Sequence, residues 1–336
     1  MPSAHSPLDE PAFATLVEHH RGEVQLHCYR MLGSYEDSED LIQETFLCAW
    51  RNRSSVSFDG PWSVRAWLYR IATNACLDVL RSRPRRVLPP QVTGPADPHP
   101  DPGPPADLPW LQPYPDRLLE SVAHPQDEPH AAVVTRETIE LAFVAAIQHL
   151  PPRQRAVLIL RDVLGWSAKE TASLIGATVP AANSALQRAR ATLQERLPKD
   201  RTEWTPSTAL NAAQRELLRR YVEAHERADV DALAALLRED ARLVMPPHPT
   251  WYEGREAIVI ATRKGFDPAF GSLRTVLVGA NAQPAVAHYL RGPGESVYRP
   301  LGLDLLQTED GLIVEIASFV SPELFAAFGL PPTLDR

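Results

Sequence analysis

Cysteine is scarce. The 336-residue chain holds only Cys28, Cys48 and Cys76. An odd count with no C-x-x-C pair signals neither a disulfide framework nor a thiolate zinc site, and buried reduced thiols are expected. Also missing is any apolar run of about 18 residues, so no membrane-spanning helix is expected and no membrane partner. The opening stretch MPSAHSPLDEPAF lacks a basic region ahead of an apolar one, so no secretory leader is read, and a soluble cytoplasmic protein is the expectation. A basic excess is absent too. Thirty-four Lys and Arg stand against 42 Asp and Glu, a net charge of −8, so any nucleic-acid contact has to come from local patches. What the chain does have is proline, 33 residues of it, within an otherwise ordinary composition of 44% apolar and 23% charged residues. The length suffices for two or three domains with cores of their own.

The prolines mark the organisation. They crowd residues 87–129, VLPPQVTGPADPHPDPGPPADLPWLQPYPDRLLESVAHPQDEP. Proline lacks an amide donor and fixes φ, so this segment reads as an extended, mostly solvated, flexible linker. A weaker break, PKDRTEWTP, lies within 198–209. Between and beside these breaks are two helical blocks, residues 10–86 and 130–197, with Ile139, Ala142, Phe143 and Ala146 forming one stripe of the second. Residues 210–332 change character. Two helical runs, AAQRELLRRYVEAHERA and DVDALAALLRE, precede short alternating segments: ARLVM, LRTVLVGAN, QPAVAHYLR, VYRPLGLDLLQTEDG and LIVEIASFV. Helices feeding a curved antiparallel sheet make an α+β domain.

In the second block, Ser167 with Glu170 three residues on reads as a capped helix start, Gly176 as its stop, and Pro180 as a first-turn residue of the next helix. That next helix exposes Asn183, Ser184, Gln187, Arg188 and Arg190, types that hydrogen-bond base edges or phosphates; Lys169 lies on the helix before it. A helix-turn-helix fits. On periodicity alone an ordinary helical hairpin with a solvated polar face fits as well. Between Trp62 and Arg86 at the end of the first block, Arg65, Arg70, Arg81, Arg83, Arg85 and Arg86 stand against the single acid Asp78 and are interleaved with Trp62, Trp67 and Tyr69. Cations beside stacking aromatics suit a surface that grips and opens DNA; the alternative places Trp67 and Tyr69 in the core and the arginines on a solvated face.

Both blocks resemble a known family. YEDSEDLIQETFLCAWR and WSVRAWLYRIATNACLDVLRSRPRR are similar to region 2 of sigma-70 family transcription initiation factors of the extracytoplasmic-function type, and the second block resembles region 4. The resemblance covers about residues 10–197 and implies all-α regions 2 and 4 joined by a linker. It implies core RNA polymerase (the β′ clamp helices and the β flap) and promoter DNA as partners. Asp40, Gln43, Glu44, Phe46 and Trp50 would face β′. The loop FDGPWS, with Asp59, Trp62 and Ser63, would cradle a flipped minus-ten base, supported by Trp67, Arg70, Asn74, Arg81 and Arg83. Lys169, Pro180, Asn183, Ser184, Gln187, Arg188 and Arg190 would meet the minus-thirty-five element. Asn183 and Ala185 depart from the family, many of whose members have basic residues there.

Residues 211–330 resemble the SnoaL-like polyketide cyclases of the nuclear transport factor two-like fold, a cone of sheet wrapped by helices around an apolar interior. The combination is similar to the SigG-like or SigJ-like subgroup, in which the appended domain takes a regulatory part. Strand periodicity points some of Met245, His248, Trp251, Tyr252, His288, Asp304 and Phe319 towards the mouth of such a cone, where they would line a cavity open to a small-molecule ligand or close a dry, structural interior that presents an interaction face. A His288 and Asp304 pair is the candidate for proton transfer, but a core histidine and a surface acid are the commoner outcome, and no catalytic residue is assigned. His19, His20, His225 and His248 show no metal-ligand spacing, so no metal and no cofactor is expected.

Overall fold

In a computed structural model of the chain the described residues are 9–55, 64–119, 122, 138–196 and 212–335. The loop with Asp59, Trp62 and Ser63 lies outside them, as do residues 123–129 of the expected linker and all of 198–209. The chain divides into two compact units, Met1–Arg86 with Leu118–Trp204, and Val87–Arg117 with Thr205–Arg336. No helix among the described residues is long and apolar enough to cross a membrane.

The first unit is helical. α1 (Glu10–Leu32) starts at Asp9, whose carboxylate accepts the Ala12 amide, and stops at Gly33, left-handed at φ 68°. Ser34 caps α2 (Tyr35–Asn52), and α3 (Val64–Ser82) follows. α4 (Leu141–Ile147) and α5 (Pro152–Leu158) lead through a π-helical turn, Ile159–Val163, to α6 (Ala168–Leu174) and α7 (Val179–Arg196). Ser167 and Glu170 form the expected reciprocal capping box. Cys28, Ile42, Leu68 and Cys76 from the first three helices share one continuous core with Phe143, Val157, Leu174 and Leu186 from the later ones. All three thiols are free.

A buried arginine ties the two helical sets together. Arg155 donates to the Met31 carbonyl at the end of α1, to the Gln148 side chain at 2.6 Å and to the Gln148 carbonyl at 2.9 Å, and burial pushes its pKa down to about 10. Arg30 reaches the Thr138 hydroxyl at 2.8 Å, and the rings of Tyr69 and Trp166 stand 5.4 Å apart.

The second unit places α8 (Ala212–Glu226), α9 (Val230–Ala234) and α10 (Arg255–Gly265) on a six-stranded sheet ordered β2-β1-β6-β5-β4-β3. Its strands are β1 (Leu237–Val244), β2 (Trp251–Glu253), β3 (Ser272–Ala280), β4 (Gln283–Arg291), β5 (Arg299–Glu309) and β6 (Leu312–Phe319), with α11 (Leu324–Ala327) after them. The sheet is not wholly antiparallel as expected, because β1 runs parallel to β6. The long excursion through β2, α10 and three further strands brings the chain back beside β1 in either sense, a freedom that a tight hairpin lacks. The second helical run is also shorter than its sequence pattern, since β1 begins at Leu237.

The larger difference concerns the proline-rich segment. Residues 87–117 are not a solvated tether but belong to the second unit, with Leu111 and Tyr114 almost fully buried. Proline does keep them extended. Their remaining amides and their few large apolar side chains find partners on the folded domain, which a solvated chain would not need.

Candidate functional site

On α2 the buried stripe Leu41, Ile42, Thr45, Phe46 and Ala49 leaves Asp40, Gln43 and Glu44 exposed together, at spacings that put them on one helical face. Phe46 does not join them. At 7% exposure it is a core residue, because its position follows the stripe and not the outer face. Trp50 is half-buried, edge-on to Phe13 at 5.0 Å and covered by the Arg53 guanidinium at 3.5 Å. Leu47 stands on the outer face at 56% exposure. Sequence reasoning missed it, although a leucine outside the buried stripe was the available signal.

Along α3, Arg70, Asn74 and Arg81 are exposed and Trp67 is half-buried, again on one side of the helix. Most of the arginines there are held by the protein itself. Arg65 pairs with Glu23 at 2.7 Å, Arg81 with Asp78 at 2.6 Å, Arg83 with Asp37 at 2.6 Å, Arg86 with the same Asp37, and Arg85 meets His149 at 2.6 Å. Tyr69 is core, as the alternative reading had it. Burial pushes the Glu23 carboxyl up, but the hydrogen bonds and charges of His20 and Arg65 outweigh it, so Glu23 ionises more readily than an ordinary glutamate. Apart from Asp78, the acids that hold these arginines come from other helices, so a count of charges along α3 could not show them.

On α7, Asn183, Ser184, Gln187 and Arg188 are exposed, as are Pro180 at its start and Lys169 on α6. Arg190 is exposed too, but it makes a two-pronged pair with Asp162 at 2.7 and 2.8 Å. The helix therefore presents a polar, weakly cationic face.

In the second unit the expected cavity lining divides. Met245 packs at the edge of the core, and Trp251, Tyr252 and Phe319 are buried. The stretch MPPHPTWYEG is a bed for residues 93–106. Trp251 Nε1 donates to the Thr93 carbonyl at 2.9 Å, and the Thr93 hydroxyl donates to the Pro249 carbonyl at 2.7 Å. The amides of Ala96 and Ala106 donate to the carbonyls of Trp251 and Pro247. His248 Nδ1 donates to the Gly103 carbonyl at 2.7 Å. His248 is thus no free rim histidine. Further along, Tyr114 and Asn281 exchange two bonds, Asp116 accepts the Ala282 amide at 2.8 Å, and Arg117 donates to the Ala327 carbonyl at 2.8 Å.

His288 and Asp304 do meet, at 2.8 Å, on adjacent strands β4 and β5. Two residues of α8 join them. Tyr221 donates its hydroxyl to Asp304 at 2.7 Å, and His225 stacks between Tyr221 and His288, with ring centroids 4.2 and 4.8 Å away. Burial alone would raise the Asp304 carboxyl, but His288 overrides it and holds the group well below the usual carboxylate range. Burial, then the charge of His288, pushes His225 down to about 4. Tyr221 and His225 carry no sequence signal for this role, because only the fold brings α8 over β4 and β5.

Known proteins resemble the chain along three stretches. Residues 16–86 match Sigma-70 region 2, residues 140–193 match Sigma-70, region 4, and residues 218–316 match a SnoaL-like domain. The chain is 42% identical to ECF RNA polymerase sigma factor SigG of Mycobacterium tuberculosis (strain CDC 1551 / Oshkosh), over 99% of this chain and 88% of that protein. It is 26% identical to ECF RNA polymerase sigma factor SigJ of Mycobacterium tuberculosis (strain ATCC 25618 / H37Rv), over 88% of each. The crystal structure of the Mycobacterium tuberculosis SigJ protein shares the fold, with a TM-score of 0.58 at 21% identity, covering 95% of this chain and 100% of that one. Matched across nearly its whole length, with regions 2 and 4 in order and a SnoaL-like domain after them, the chain belongs to the extracytoplasmic-function RNA polymerase sigma factors, a family of transcription initiation factors and not of enzymes.

Proposed function

We propose that this sigma factor works in the cytoplasm, docking on core polymerase and promoter through three separate faces while its SnoaL-like domain modulates initiation by holding the linker. Asp40, Gln43, Glu44 and Leu47 meet the β′ clamp helices, with Trp50 at the margin; the strip Trp67, Arg70, Asn74 and Arg81 follows the opened minus-ten strand. Arg83 serves to brace α3 on Asp37. The face Asn183, Ser184, Gln187 and Arg188 reads the minus-thirty-five element, with Lys169 and Pro180 beside it. So few free cations there imply a contact dominated by base edges and short on phosphate neutralisation.

The observation that carries the modulating role is the hold of the second unit on residues 87–117, the start of the only covalent connection between regions 2 and 4. A domain that binds the linker sets how freely the two regions separate. The occupied bed at Met245–Gly254 favours this intramolecular reading over a ligand entering past that rim. The test is run-off transcription with purified core polymerase on a promoter library, comparing the full chain with one ending at Trp204. Promoter-specific transcripts from at least one of the two, with the same promoter sequence but a different yield, are expected. Equal yields would make the domain a passenger, and no specific product from either would remove the reading altogether.

A further inference from the structure

A group of donors with no part in the reading above lies inside the SnoaL-like domain. His225 from α8, His288 from β4 and Asp304 from β5 are all buried, and each offers a ligand atom within 4.8 Å of the others. Several details resemble a metal shell more than a packed polar core. His225 Nδ1 lies 2.9 Å from the Tyr221 carbonyl, an acceptor only, so the proton sits on Nδ1 and Nε2 keeps its lone pair. That hydrogen bond is the usual outer-shell support of a ligating histidine, and the Tyr221 hydroxyl supports the Asp304 carboxylate in the same way. His288 Nε2 is buried and close to Asp304 Oδ2, yet the two lie off the hydrogen-bond axis, so that nitrogen has no hydrogen-bond partner. A buried imidazole nitrogen without a well-aligned hydrogen bond is costly unless something else occupies it.

We propose that His225, His288 and Asp304 form a binding site for one divalent transition ion of the zinc class, with the fourth position taken by solvent or an exogenous donor. Two imidazoles and one carboxylate are borderline donors that suit zinc better than calcium or magnesium, which prefer oxygen shells. The edge of a zinc tetrahedron is ~3.4 Å, so the widest separation in the cluster closes by little more than an ångström of side-chain rotation. The three ligands come from one helix and two strands. Filling the site therefore fixes α8 to the sheet, and the ion acts as a clasp of this domain.

The test uses the full chain, stripped with a chelator and then titrated with Zn2+ against a chromophoric competitor, and with Co2+ as a spectroscopic probe. One equivalent bound with a dissociation constant below about 1 µM is expected, together with a visible Co2+ band of a four- or five-coordinate site. His225→Gln and His288→Gln should each weaken binding about a hundredfold or more. His248→Gln, which alters a histidine of the same domain outside the cluster, should leave binding unchanged. Variants that lose their helical and sheet circular dichroism would be set aside, and the Co2+ band of the unaltered chain then decides. Absence of that band, no binding at about 10 µM zinc, or binding that survives both cluster substitutions would overturn the site.

Discussion

At the scale of single residues, His27 shows how the fold decides a charge. It lies fully buried in α1 with Nε2 2.9 Å from the Thr73 hydroxyl. Burial, then the charge of Arg30, lowers its pKa from 6.5 to about 3, against a raising influence of Glu23. The folded chain therefore keeps His27 neutral where the unfolded chain would protonate it. The stability tied to that difference is complete above pH 6.5 and is lost as pH falls towards 3, with a slope of up to about 1.4 kcal/mol per pH unit. Glu23 works in the same sense, but its lowered pKa acts only below the ordinary value of 4.5. Between about pH 4.5 and 6.5 His27 shares the slope with His225 and His149, whose pKa values burial also lowers. His27→Gln, which can still bond Thr73, should flatten the urea-unfolding stability of the full chain across that window. A variant as steep as its parent would show that other groups set the acid limb.

Elements bring residues together, and the hairpin between β3 and β4 does so for the linker. Its turn residues, Asn281 and Ala282, have φ 54° and 55°, the left-handed pair of a type I′ turn that suits the twist of the strands. Asparagine tolerates this conformation, whereas alanine is strained in it. The same turn holds the linker, through Asn281 to the Tyr114 amide at 2.8 Å and through the Ala282 amide to Asp116. Ala282→Gly keeps the amide and relieves the strain, so it should stabilise the domain by about 0.5–1 kcal/mol. Asn281→Ala should cost about 1–2 kcal/mol and speed amide exchange of Tyr114. Hydrogen exchange and thermal melts of the full chain check both, and a protected Tyr114 amide in Asn281→Ala would show that the turn does not anchor the linker.

The same scale explains what could be read from the sequence. Helical periods, the second run after residue 210 excepted, the Ser167 and Glu170 box and the span of β4 all follow from local rules, and each appears where those rules place it. The outer face of α2 was legible for the same reason, Phe46 excepted. Partners distant in sequence were not legible. Asp37 holding Arg83 and Arg86, Asp162 holding Arg190, and α8 delivering His225 to β4 and β5 depend on tertiary contacts, which a pattern read along the chain does not contain. The linker misled for a related reason. Proline excludes helix and central strand, but it does not exclude burial of Leu111 and Tyr114 between the prolines.

For the molecule at work, the shared core of regions 2 and 4 sets a geometric problem. The two promoter elements they are proposed to read lie about 25 base pairs apart, ~85 Å of B-form DNA at 3.4 Å per step. Arg155 and the Tyr69–Trp166 contact instead hold the helices of region 4 against those of region 2. Region 4 must leave region 2 before both elements are engaged. Hydrogen bonds that cross between the two regions run from Arg155 to the Met31 carbonyl, from Gln148 to the Arg30 carbonyl, from Arg30 to Thr138 and from Arg85 to His149; removing Arg155 breaks the first and also its internal bonds to Gln148, a loss of about 3 kcal/mol. Spin labels at Glu18→Cys and Glu195→Cys, both exposed positions outside the proposed docking faces, report the separation by pulsed electron resonance. The free chain should give one short, narrow distance distribution, and addition of core polymerase should lengthen it by tens of ångströms. Arg155→Ala should broaden the distribution in the free chain and raise transcription at limiting polymerase. A distance unchanged by polymerase would mean that regions 2 and 4 act as one body, and promoter recognition would then have to rest on region 2 alone.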